Sequence, residues 1–116
     1  MSYPPKKAHM STLVIHTPPS EVRQNQKRSF HQTIETGVGR GYALNSRIYE
    51  QVSSGAPVVV ICKAHKKQAE GLIRQLVPTE KTGNGIQRYD VVIVGLHITP
   101  FTHGATKLNR NGVAVV

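Results

Sequence analysis

Val, Ile and Leu concentrate in two stretches of this chain, Ala56–Cys62 (APVVVIC) and Tyr89–Ile98 (YDVVIVGLHI), and these limit the core it can build. Both are rich in β-branched residues, whose stiff side chains suit a pleated sheet. With 116 residues, no Trp, two Phe and four Tyr, the remaining apolar material is aliphatic and modest. That is enough for one compact domain and too little for two. Cys62 is the only cysteine, so a disulfide-stapled scaffold is excluded. No apolar run approaches the ~18–20 residues of a membrane-spanning helix, and none follows Lys6-Lys7 in the manner of a secretory signal. A loose leader over residues 1–10, a single domain over 11–116 and a cytoplasmic location are the expectations.

Along the body, Ser11–Thr17 is a short apolar run stopped by Pro18-Pro19, and it reads as a first strand. Ser20 offers an N-cap to a polar helix ending near Gly37, in which only Val22, Phe30 and Ile34 share a face. A second short helix is expected over Asn45–Val52, with Leu44, Ile48 and Val52 spaced by four and Gly55 as its C-cap. Ala56–Ala64 is a strand, 86–98 is a longer and central one, and Gly112–Val116 is a short last one. Pro78–Gly85 is dense in turn residues and reads as a loop. The expected core comprises Val14, Ile48, Val58, Val60, Ile73, Val92 and Val94.

Lys67–Val77 decides the fold. Ala69, Leu72, Ile73, Leu76 and Val77 match the helical template i, i+3, i+4, i+7, i+8, and a helix here gives a Rossmann-like β-α-β unit. Against it, Gly71 costs about 1 kcal/mol in a helix interior, and the link from His65 to Lys67 is as short as a hairpin turn. As a strand, Gln68–Val77 would pair antiparallel with 57–64 and then with 86–98. Both readings are open from the residues alone.

The order of features from Gly37 onward bears on that choice. Gly37-Val38, a basic glycine-containing loop to Tyr42, a short helix ending in Ser54-Gly55 and the strand Val58–Ile61 come first. Ala69-Glu70-Gly71-Leu72-Ile73, a Gly/Lys loop and Arg88-Tyr89-Asp90-Val91 follow. This order resembles the small PUA-like barrels, the EVE domains in particular, over residues 37 to about 98. Ala56 stands where that family has Asp, and the first strand lacks the family's aromatic residues. The resemblance implies an α+β fold, a small and mostly antiparallel β-barrel with two or three helices, and a nucleic-acid-binding role.

Fifteen Lys and Arg against six Asp and Glu give a net charge of +9, which points to polyanionic partners. Lys63, His65, Lys66, Lys67 and Arg74 gather around the expected first hairpin turn, with Lys81 and Arg88 on the neighbouring one. Gly37-Val38-Gly39-Arg40-Gly41 offers backbone amides and one guanidinium to a phosphate, although its glycine spacing fits neither the dinucleotide fingerprint nor the P-loop. Of the aromatic residues, Tyr42, beside Arg40 and Gly41, is the expected base-stacking ring, while Tyr49 is expected to pack beside its helix. The candidate nucleic-acid contacts are therefore Arg40, Tyr42, Lys63, Lys66, Lys67, Arg74 and Arg88.

Other chemistry has few candidates. Cys62, inside VVVICKA, reads as a buried thiol, and Cys62, His65, His97 and His103 match no familiar zinc spacing. Glu70 and Asp90 face one another only if the second hairpin so aligns them, and Arg74 and Arg88 nearby favour ion pairs instead. Tyr89–Gly95 looks like the opening strand of a flavin enzyme, yet Leu96-His97-Ile98 stands where the glycine fingerprint belongs. The leading expectation is thus a non-enzymatic module without cofactor or metal that binds a single strand or a modified base. The alternative is a small interaction or inhibitor protein that binds an acidic partner surface.

Overall fold

The computed structural model describes residues 11–18 and 28–116, so the leader and the first helix's expected start at Ser20 lie outside the described residues. The elements are β1 (Leu13–His16), α1 (Phe30–Thr36), β2 (Val38–Ala43), α2 (Ser46–Gln51), β3 (Pro57–Cys62), β4 (Lys67–Lys81), β5 (Gln87–Thr99) and β6 (Val113–Val115). Strands make up 48% of the described residues and form one curled half-barrel. The strand order is β2-β5-β4-β3-β1-β6. Only β1 and β3 run parallel; every other pairing is antiparallel. No helix among the described residues is long and apolar enough to cross a membrane.

Residues 67–81 form a strand, which removes the β-α-β alternative. Their helix-like spacing has a physical origin in the register. Ala69, Gly71 and Ile73 point into the curl, and an extra residue at Arg74 then shifts the pairing, so that Leu76 and Val91 oppose one another on the same inner face. The inward positions therefore fall at 69, 71, 73 and 76, of which Gly71 shows no side chain, while Leu72 and Val77 lie on the outer face; a broken period of two imitates 3.6. Gly71 is needed rather than tolerated: a Cβ there would lie 2.7 Å from Ile93 Cγ2 and 2.8 Å from the Val94 carbonyl oxygen. A second register shift follows Glu70, where Gly95 in β5 takes a φ of +68°, left-handed geometry that suits glycine.

The core lies inside the curl. Leu13, Ile15, Tyr42, Leu44, Val58, Val60, Ala69, Ile73 and Val91 are each no more than 1% exposed, and Phe30 of α1 joins them. On the other face Val14, Val59 and Ile61 are covered by Phe101, Leu108 and Ala114. The expected core holds for Val14, Val58, Val60 and Ile73, but Ile48 and Val92 are half-buried and Val94 is 43% exposed. Val92 and Val94 occupy the outer face of β5, where none of the described residues forms a cover like that over Val59 and Ile61.

Three local expectations also change. The glycine-rich segment after Gly37 is not a connection between helices but the edge strand β2, paired with β5 and bulged between Gly39 and Tyr42. The turn after β4 is shorter than Pro78–Gly85, because the strand continues to Lys81. Pro78 fits there because the β3 pairing ends at Leu72, so among the described strands none takes an N–H from the outer edge of β4 at Pro78. Finally, α2 is capped at Asn45, whose side chain accepts from the Ile48 N–H, and it closes on extended Val52 rather than on Gly55.

Candidate functional site

β4 and β5 form a long ribbon that β3 borders toward one end and β2 toward the other, and the basic residues divide between those ends. Toward the β4–β5 turn, the bulge in β2 brings Arg40 beside Arg88 of β5 and Arg28. The Arg88 guanidinium donates to the Gly41 carbonyl oxygen at 2.7 Å, and Arg28 Nε donates to the Arg40 carbonyl oxygen at 3.1 Å. Arg40 pairs with Asp90 at 3.7 Å, and the other oxygen of Asp90 accepts the Gly41 N–H at 2.9 Å. With Thr79 and Glu80 these residues line an open cleft of about 460 Å³. The Gly41 amide is thus committed to a carboxylate of the chain itself, and the cleft presents guanidinium groups instead of a nest of free amides.

At the other end, the turn from β3 into β4 carries Lys63, His65, Lys66 and Lys67, all exposed. Lys63 Nζ donates to the Thr106 carbonyl oxygen at 3.0 Å, and its backbone N–H meets His16 Nε2 at 3.4 Å. Burial, and secondarily the Lys63 charge, hold His16 below the usual histidine value. Lys66 has a φ of +50°, and with Lys67 it borders a cleft of about 380 Å³ floored by Phe30, Ile34 and Ile98.

Two candidate contacts do not fit this arrangement. Arg74 is separated from Lys67 by seven residues of extended strand, roughly 23 Å at 3.3 Å each, so it stands apart from the lysine turn. Tyr42 is 1% exposed, with its hydroxyl donating to the His16 carbonyl oxygen at 2.9 Å and the Arg28 guanidinium 5.2 Å from its ring centre. Burial pushes its phenol up to about 12 against the opposing pull of Arg28. Tyr42 is a core residue, and its ring is closed to a base.

The accessible ring is instead Tyr49 of α2, which stacks on half-buried Tyr89 of β5 with ring centres 5.0 Å apart and planes at 19°. Burial, then the neighbouring Tyr49, raise the Tyr89 phenol above its ordinary value. No sequence signal joins these two rings, which lie forty residues apart. Arg28 was equally hidden, as it falls in a segment whose spacing reads only as a solvated helix.

The acidic residues are dispersed. Glu70 stands opposite His97 and accepts from the Gln68 side chain at 3.0 Å, while Asp90 stands opposite Val77, so the two carboxylates do not face one another and neither takes the partner expected of it. Cys62 is buried and unpaired. Among the described residues, no three of His, Cys, Asp and Glu gather closely enough to hold a metal ion. No family model, curated protein or solved structure matches the chain, so the reading of the site rests on its own geometry.

Proposed function

We propose that this chain is a non-enzymatic, PUA-like module that binds nucleic acid and takes a stretch of phosphate backbone in the arginine cleft. The observation that carries this reading is the convergence of Arg28, Arg40 and Arg88 on one open cleft in a chain of net charge +9. A guanidinium has five donors in a planar fork, so one bond to a carbonyl oxygen orients it and leaves others for a phosphate. Arg28 and Arg88 are oriented in this way, and Arg40 is held by Asp90. Such contacts set register and affinity without reading sequence. Lys63, Lys66 and Lys67 supply a second cationic region farther along the ribbon. The curled six-stranded sheet is compatible with the PUA-like resemblance.

The test is a salt titration of fluorescence anisotropy with a short labelled single-stranded oligonucleotide. Arg40→Ala combined with Arg88→Ala should reduce the slope of log affinity against log salt by about 1.4, two single-strand contacts at ~0.7 each. Lys66→Ala with Lys67→Ala should do the same if both meet phosphates. Absence of wild-type binding at about 50 mM salt, where several phosphate contacts are strong, would replace this reading with that of an acidic protein partner.

A further inference from the structure

We infer that the Tyr49–Tyr89 stack is a landing site for an unpaired base of a nucleic-acid strand. The inference rests on the nucleic-acid reading above and adds to it a preference for single strands.

Tyr49 belongs to a six-residue helix with no buried residue, and it remains 43% exposed although one ring face is taken by Tyr89. A side chain needed only to fix α2 would be expected to bury its ring. This one instead borders an open cleft of about 530 Å³, whose walls include Leu44, Asn45, Lys81 and Gln87. Lys81 and Gln87 are cross-strand partners, so an ammonium stands at the rim beside the aromatic pair. A flat apolar surface that can extend by one ring, next to a cation, suits a base with its phosphate. Every base has a π-face, so the contact tolerates any sequence.

The stack is independent of the arginine cleft. Arg88 and Tyr89 are successive residues of β5 and project to opposite faces of the ribbon. A base inside a duplex is already stacked on its neighbours and has no free face to offer.

The experiment compares a labelled single strand with the duplex of the same length, for wild type, Tyr49→Ala, Tyr49→Phe and the Arg40→Ala/Arg88→Ala double variant, with circular dichroism confirming that each is folded. Tyr49→Ala should weaken single-strand binding by about 5- to 150-fold, the range for one lost base stack, with salt slope and duplex affinity unchanged. Tyr49→Phe, which keeps a ring, should bind as wild type does. Loss of duplex and single-strand affinity in equal measure, or no loss at all, would overturn the stack while a reduced slope in the double variant still supports the cleft. A normal slope in the double variant with single-strand selectivity intact would overturn the cleft and support the stack. If wild type binds neither substrate, both fail.

Discussion

The two ends of the β4–β5 ribbon are both basic, and they hold their charge by different means. Near the β4–β5 turn, Arg28 and Arg88 are tied to main-chain carbonyl oxygens and Arg40 to Asp90, on the rim of a ribbon that, among the described strands, only β2 borders there. At the other end the lysines ride on the turn that follows the buried strand β3, which has the core on one face and Phe101 and Leu108 on the other. The arginine end therefore has preformed donors on a lightly supported frame. The lysine end has exposed point charges on a heavily supported one, with Lys63 tied to the Thr106 carbonyl oxygen. For a ligand, the first supplies geometry and the second supplies mostly field.

Placing an aspartate at each end should separate them most widely. Val60→Asp puts a charge on a fully buried residue of β3 and should remove most or all of the stability, since an unpaired buried charge costs several kcal/mol in a fold with only about 5–15 to lose. Val92→Asp, half-buried on the outer face, should cost about 1 kcal/mol. Urea unfolding followed by circular dichroism measures both, and similar losses would show that the outer face is as closed as the inner one.

Gln68 tests the support of the lysine end with a smaller effect. It is 1% exposed, its amide nitrogen donates to Glu70, Thr99 and Thr102, and its oxygen accepts the Thr102 and His103 N–H groups at 2.8 and 3.0 Å. Gln68→Ala removes this clamp on the segment after β5 and should cost about 2–3 kcal/mol through the stranded backbone donors. Hydrogen exchange should quicken first at Thr102 and His103, and unchanged protection there would contradict the clamp.

The smallest expected difference is in pH response. His16, under the lysine turn, has its folded pKa held below 6.5, so the unfolded chain binds the proton more readily. Stability from this group is complete above the unfolded value and is lost as pH falls through the folded one. Arginine does not titrate in this range, so the other end should not respond. Urea midpoints between pH 7.5 and 5 should fall less in His16→Gln than in wild type, and parallel curves would assign the acid sensitivity elsewhere.

Much of the fold was legible because the signals were local. Pro18 closes β1, the spacing of Leu44, Ile48 and Val52 marks α2, Val58–Ile61 reads as buried strand, and the turn residues before Gly85 mark the ribbon's turn. The helix-like spacing of 69–77 misleads because a bulge is written by register between two strands, not by the strand that contains it. Val94 misleads because apolar residues on both faces of a strand indicate burial only if something covers both faces.

For the site, the sequence by itself determined the sign and amount of charge, the candidate arginines and lysines, and the shortage of acidic and metal-binding groups. Tertiary structure alone decided that Arg28 joins Arg40 and Arg88 while Arg74 does not. It also decided that Tyr42 is sealed in the core while Tyr49 stands exposed against half-buried Tyr89. Charge is a sum over residues and survives any folding. Exposure and convergence depend on which segments meet, and those contacts join residues twelve to sixty positions apart, where no local pattern records them.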